Sequence, residues 1–217
     1  MDHWLRTDEA LEAITSLEMA CDQLPKVMDN PHYWKWVVIS LHNALQGYMV
    51  LALKGSDGLN VLTTKCAKRW LAAYWQKNGA FPQPQMDSFS NLYKKIQAGR
   101  ELYDEGIRCG RILDRKNSDL MLMYVNSQPF KPEGTQTASV EMLKELRNDF
   151  IHFLPKGLSL EVGGLPRVVE DCVDLIDFLA FKCGNILWYD ETLKTRTRDL
   201  IKNIRLELKT VREEYGD

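Results

Sequence analysis

Apolar side chains recur every three or four residues along most of this 217-residue chain. That spacing is typical of α-helices that bury one face, because an α-helix has about 3.6 residues per turn. The run from 30 to 53 is apolar on several sides, so we predict a central helix there, with Asn30 as its N-cap and Pro31 in its first turn. Strand-like alternation with a period of two is hard to find. The predicted fold class is therefore all-α, an antiparallel helical bundle.

Turn-forming residues divide the rest of the chain into further helices. The clearest internal loop is 126–137, which carries Pro129, Pro132 and Gly134. Pro166 is well placed to begin a helix, since proline is favoured in the first turn. We predict the additional helices at 8–24, 61–77, 88–103, 113–125, 139–153, 166–188 and 191–215, all within a single domain of residues 1–217.

Composition narrows the class of protein. Hydrophobic residues at 45% and charged residues at 27% are typical of a globular chain. The net charge of −2 gives no global nucleic-acid footprint, so any RNA contact must come from a local patch. The longest apolar candidate span, 168–188, is interrupted by five charged residues, so we expect no membrane association. The five cysteines are scattered and form no CxxC pairs, so we predict reduced thiols. The first residues are unlike a signal peptide, so we predict a cytoplasmic protein.

Motifs for cofactors are also lacking. No glycine-rich loop is followed by the lysine of a phosphate-binding loop, and no HExxH motif occurs. We therefore predict neither a metal nor another cofactor, and the sequence does not support an oxidoreductase or a kinase.

The segment 146–153, LRNDFIHF, carries the chemistry that stands out. Arg147 can neutralise a phosphate with a planar fork of donors. His152 has the side chain whose ordinary pKa allows proton exchange near neutrality. Both fall near the end of the predicted helix 139–153, where the helix dipole favours a protonated imidazole by roughly 0.3–1 kcal/mol. The segment therefore indicates chemistry on a phosphodiester.

The pattern of Arg147, Asn148 directly after it, and His152 after four intervening residues resembles the signature of the HEPN superfamily (higher-eukaryote and prokaryote nucleotide binding). The resemblance implies a small helical bundle acting as a metal-independent endoribonuclease, with Arg147, Asn148 and His152 as catalytic residues. It also implies an RNA substrate, a homodimer, and an antitoxin or defence-system partner protein. Under this interpretation 8–54 and 137–188 form the HEPN-like core, 55–135 is a helical insertion, and 190–217 is a charged C-terminal helix.

Helix geometry supports the dimer independently. At about 100° per residue, Asn148 and His152 share one side of the helix, whereas Arg147 lies about 140° from His152. Within one subunit, the side chains of Arg147 and His152 therefore point in different directions and are poorly placed to contact the same phosphate. If a two-fold axis brings two such helices together, the polar groups of both chains lie close to one another.

A structural interpretation of the same residues stays open. His152 could bond the free carbonyls at a helix end while Arg147 and Asp149 serve as surface charges. The chain would then be a non-catalytic HEPN-like module that binds a nucleotide or a protein.

A second polar cluster interrupts the predicted central helix in the segment SLHNALQG. His42 and Gln46 are four residues apart and share a face, with Asn43 beside them. These three residues are candidates for substrate binding. The alternative is a buried hydrogen-bond network that fixes the order of the helices.

The last predicted helix carries a basic stripe beside its apolar seam. It comprises Lys194, Arg198, Lys202, Arg205, Lys209 and Arg212. Such a stripe could contact RNA phosphates, with Lys202 and Arg205 as its central candidates. Alternatively the charges form a solvated edge and pair with Glu207, Glu213 and Glu214. A smaller group, Arg108, Arg111, Arg115 and Lys116, could also contact RNA phosphates or could cap a helix end.

Overall fold

A computed structural model describes residues 4–55, 57–76, 81–98, 128–152, 157 and 159–215. Within these ranges the chain forms α-helices joined by loops and short 3-10 turns, and its one β-type contact is an isolated bridge between Leu62 and Met86. The helices are α1 (Glu9–Gln23), α2 (Trp34–Leu53), α3 (Thr64–Gln76), α4 (Phe89–Ala98), α5 (Gln136–Ile151), α6 (Leu165–Phe181) and α7 (Glu191–Tyr215). The predicted all-α class is confirmed.

Local capping explains where the first two helices begin. The carboxylate of Asp8 accepts hydrogen bonds from the backbone N–H groups of Ala10 (3.0 Å) and Leu11 (2.8 Å), as an N-cap does. Asn30 accepts from the N–H of His32 at 3.0 Å and caps a short 3-10 turn, Pro31–Tyr33, that leads directly into α2. The predicted cap is therefore correct, although the α-helix itself starts four residues later.

Helix α2 is the centre of the bundle. It packs against α1, α4, α5 and α6, and most of its side chains are buried, including Trp34, Leu41, Leu45, Tyr48 and Met49. By length and composition alone, Pro31–Leu53 could also cross a membrane, but 67% of its most apolar window is buried inside the protein. A helix that is apolar all round is expected at a core position.

Helices α1 and α2 approach each other closely because Gly47 has no side chain. A Cβ atom placed on Gly47 would lie 2.7 Å from the Cβ of Ala13 and 3.0 Å from its Cα. Real carbon atoms without a bond between them do not come this near. The pair of small residues therefore sets the spacing of the two helices.

A buried carboxylate joins α5 to α6. Asp171, which is 3% exposed, accepts hydrogen bonds from the hydroxyls of Thr135 and Ser139, each at 2.6 Å. Arg167 adds its Nε at 3.4 Å. Because these contacts hold the first turn of α5, they fix the axial position of the motif residues at its other end.

The C-terminal helix belongs to the same core. Along α7, Ile201, Ile204, Leu208 and Val211 are buried, and the helix packs against α1 and α6. Two polar contacts tie it to α2: the Tyr48 and Thr197 hydroxyls lie 2.9 Å apart, and the Trp34 indole donates to the Tyr215 hydroxyl at 2.9 Å. Helix α4, which lies within the predicted insertion 55–135, also contributes to this core through Phe89, Leu92, Tyr93 and Ile96.

Helix α6 is shorter than the sequence predicts. Helix α6 ends at Phe181, seven residues before the predicted end at Trp188. Gly184 adopts a left-handed conformation (φ 80°), and the chain turns so that the Trp188 indole donates back to the Ala180 carbonyl at 3.0 Å. The apolar spacing of the sequence continues past Gly184 to Trp188, so the sequence pattern does not indicate this turn. The predicted helix 113–125 lies outside the described residues.

Replacing Gly47 by Ala should lower the free energy of unfolding by about 1 kcal/mol, the difference between a mid-range overpacking cost and the helix propensity that alanine gains. Overpacking typically costs about 1–3 kcal/mol, which exceeds the roughly 1 kcal/mol that alanine gains over glycine in a helix. Urea denaturation measures the change. Gly157→Ala is the matched control, because a Cβ at Gly157 meets nothing within 4 Å. Equal midpoints for the two variants would show that the α1–α2 spacing is not set by Gly47.

Candidate functional site

The end of α5 presents Arg147 and Asn148 side by side. Asn148 is exposed and Arg147 is half-buried. The Nη1 of Arg147 donates to the Oδ1 of Asn148 at 3.0 Å. A neighbouring amide that accepts from one nitrogen restricts the rotation of the guanidinium and leaves its other donors for a further acceptor. The Arg–Asn pair is thus a local unit and not two independent surface side chains.

His152 is the C-cap residue of α5. Its backbone N–H donates to the Asn148 carbonyl at 2.9 Å, so its Cα still follows the helical path. Its side chain is exposed. The angular separation of about 140° between Arg147 and His152 on an ideal helix therefore applies to the folded chain. Arg147 leans towards the bundle, whereas His152 is open to solvent.

His42 on α2 is the residue that the fold sets beside Arg147. Its imidazole is 3% exposed and stacks on the ring of Phe89, with centroids 4.2 Å apart and planes inclined by 20°. Burial lowers the pKa of His42 to about 4, with a further lowering from the positive charge of Arg147 and a partly opposing hydrogen bond to Asn43. The imidazole is consequently neutral near pH 7.

Two buried polar atoms at this junction have no hydrogen-bond partner among the described residues. Nδ1 of His42 and Nε of Arg147 are both buried and unpaired within the described part of the chain. A buried polar group without a partner costs free energy, so such atoms deserve an explanation. The fold thus joins the two polar clusters that the sequence presents separately.

Asn43 and Gln46 lie at the edge of the same junction. Asn43 is exposed, and the Gln46 amide lies 3.8 Å from the sulfur of Met86, a geometry that suits a weak hydrogen bond. Met86 is itself 46% exposed. These side chains are open enough to reach a bound molecule, whereas His42 lies beneath them. Their predicted role in substrate binding stays a prediction.

Two members of the basic stripe on α7, Arg205 and Arg212, pair with acidic residues of α6, whereas Lys194 pairs with Glu191 at the start of α7. Arg205 donates to Asp174 at 2.7 Å and lies 3.5 Å from Asp177, and Arg212 makes two hydrogen bonds to Glu170 at 2.6 and 3.3 Å. These partners differ from the glutamates of α7 itself that the sequence suggested. Lys202 is exposed, whereas Arg205 would have to leave Asp174 to contact RNA. Their roles as RNA contacts stay predictions, and the group Arg108, Arg111, Arg115 and Lys116 lies outside the described residues.

Phe89 and Met86 are the site neighbours that the sequence did not reveal. Both come from the segment that the sequence assigned to an insertion, and no local pattern links them to His42 or Gln46. Pairing between distant helices is a tertiary property that periodicity does not encode. Within the described ranges, no three His, Cys, Asp or Glu side chains converge as a metal site would require.

Comparison with protein-family models, curated proteins and solved structures finds no match to this chain.

Stability should depend on pH through His42. Because its pKa is about 4 in the folded protein and ordinarily 6.5, the unfolded chain binds more protons between these values. The free energy of unfolding should thus fall as the pH falls through this window. His42→Phe, which keeps a ring against Phe89, should flatten the dependence in urea titrations at successive pH values. His32→Gln is the control because His32 is exposed. An unchanged slope in His42→Phe would contradict a buried neutral imidazole.

Proposed function

We propose that this protein is a metal-independent endoribonuclease with a HEPN-like helical bundle. The observation that carries the proposal is the end of α5: a guanidinium held by Asn148, together with an exposed imidazole at the C-cap. A fixed cation can stabilise charge that develops on a phosphate, and a histidine can move a proton. RNA is a suitable substrate for such a site, because its own 2′-hydroxyl is the nucleophile and the protein does not have to supply one.

Each residue then has a defined role. Arg147 holds the non-bridging phosphate oxygens, and Asn148 fixes the orientation of the guanidinium. His152 moves the proton of the reaction while the 2′-oxygen attacks the adjacent phosphorus and the 5′-oxygen leaves. The products are a 2′,3′-cyclic phosphate and a 5′-hydroxyl, so atoms and charge balance without an added reactant.

The proposal includes a homodimer. Because Arg147 and His152 lie about 140° apart around one helix, each phosphate would take its arginine from one protomer and its histidine from the partner. A two-fold axis near the ends of α5 meets this requirement. Ile151 (38% exposed) gives the end of α5 apolar surface for such a contact. The site would be incomplete in a monomer.

A cytoplasmic ribonuclease of this kind acts in stress response, toxin–antitoxin control or phage defence. Its activity requires an inhibitor. An antitoxin or another defence-system protein that covers the α5 ends would provide it.

One observation favours a second candidate, a non-catalytic nucleotide- or protein-binding module. Arg147 is half-buried against α2 and its charge acts on His42. A guanidinium in this position can serve packing and ligand binding without chemistry. Cleavage separates the two candidates, since the module would bind RNA or nucleotide without converting it.

Replacing His152 or Arg147 by Ala should reduce RNA cleavage by at least about 100-fold, the usual scale for losing a proton-transfer or charge-stabilising group. The assay is cleavage of total RNA in EDTA, followed by analysis of the new ends. An RNA with 2′-deoxynucleotides at the cleaved positions should be resistant, because its nucleophile is missing.

His32→Ala and Glu145→Ala are the matched controls for these variants. His32 is an exposed histidine elsewhere, and Glu145 is an exposed residue of α5. Both should cleave at the wild-type rate. If His152→Ala and Arg147→Ala also cleave at that rate, the proposed site is wrong.

Light scattering at tens of micromolar should give twice the mass of one chain. A specific interface of this type buries on the order of 1,200 Å² or more in total. Ile151→Lys should shift the protein to the monomer and abolish cleavage, because the composite site is lost. A fully active monomer would disprove the shared site while leaving the chemistry possible.

A further inference from the structure

Helix α3 carries a positively charged surface. The segment Thr64–Gln76 contains Lys65, Lys68 and Arg69 and no acidic residue. The chain as a whole has a net charge of −2, so this local excess is not a consequence of overall composition. At about 100° per residue, the three cations fall within an arc of about 100° on one face.

These cations are exposed and unpaired. Lys65, Lys68 and Arg69 make no ion pair and no side-chain hydrogen bond in the part of the chain that the structure describes. Arg205 and Arg212 on α7, in contrast, are paired with carboxylates of α6. Paired cations serve helix packing, whereas unpaired ones keep their full charge for an external anion.

An aromatic pair lies on the flank of this face. Trp70 is about 100° around the helix from Arg69 and packs against Phe81 with ring centroids 4.7 Å apart, and Phe81 is 48% exposed. An exposed aromatic ring on the flank of a row of cations is a combination that binds single-stranded nucleic acids, since the cations contact phosphates and the ring stacks on a base.

The segment before α3 connects this surface to the candidate site. The N–H of Thr63 donates to the Gln85 carbonyl and that of Asp87 to the Val61 carbonyl, both at 2.9 Å. Lys95 braces the same turn by donating to the Leu62 carbonyl at 2.8 Å. Met86 lies within this pairing and contacts Gln46, one helical turn beyond His42.

We infer that the α3 surface, defined as Lys65, Lys68, Arg69 and Phe81, binds the single-stranded RNA that extends from the α5 site. The inference rests on the proposed ribonuclease function and names the path of its substrate. Charge complementarity decides the occupant: the surface is uniformly basic, and an exposed ring lies at its edge. Single-stranded RNA supplies both regularly spaced phosphates and free base faces.

Binding is measured by fluorescence anisotropy with a labelled oligouridylate, on a His152→Ala background so that cleavage does not interfere. Lys65→Gln with Lys68→Gln should weaken binding at least tenfold at low salt. The double variant should also reduce the slope of log affinity against log salt by about 1.4, since each single-strand phosphate contact contributes about 0.7. Phe81→Ser should weaken binding roughly tenfold without changing that slope, because stacking releases no counterions.

Arg6→Gln with Lys131→Gln is the matched control, because it removes two exposed cations elsewhere. It should leave both the affinity and the salt slope unchanged. If the control lowers the slope as much as the α3 variant, the effect is only one of net charge and the inference fails. If the α3 variant binds RNA normally but loses affinity for vesicles containing phosphatidylserine, the surface is a lipid site and the inference also fails.

The test separates this inference from the proposed function. Cleavage that depends on His152, with RNA binding that does not depend on α3, overturns the inference alone. RNA binding that depends on α3, without any cleavage by the wild-type chain, supports the inference and overturns the ribonuclease.

Discussion

The packing of the bundle depends on covering the apolar surface of α2. A helix of 20 residues with apolar side chains on nearly every side is stable only when other helices cover it, and α1, α4, α5 and α6 do so. The cover is tight on one side, where Gly47 meets Ala13. Since the surrounding helices leave little room, a polar side chain of α2 that faces them is buried with the apolar ones. His42 is the main consequence.

A buried imidazole next to a guanidinium has a clear electrostatic meaning. Both burial and the positive charge of Arg147 disfavour a second cation, so His42 stays neutral. A neutral ring can lie beneath Arg147 without repelling it, which leaves the positive charge directed at whatever anion approaches the end of α5. His42 thus sets the charge balance of the site without itself reaching solvent.

Local features of the fold were predictable and long-range ones were not. Apolar spacing correctly predicts α7 to within a residue, and capping chemistry identifies Asn30. The sequence predicts the polar cluster around His42 and the segment 146–153 separately. Nothing in a single sequence indicates that α2 faces both Phe89 of α4 and Arg147 of α5. The partners of Arg205 were missed for the same reason: Asp174 is on another helix, whereas the glutamates named from the sequence are on its own.

The contact between Trp34 and Tyr215 joins residues 181 positions apart. A ribosome completes α1 and α2 before it makes the 25 residues of α7 that cover them. At ordinary translation rates α7 alone takes roughly 1–5 s to synthesise. During this interval the apolar strip beneath Ile201, Ile204 and Leu208 has no cover, so the nascent chain exposes apolar surface until α7 packs onto it.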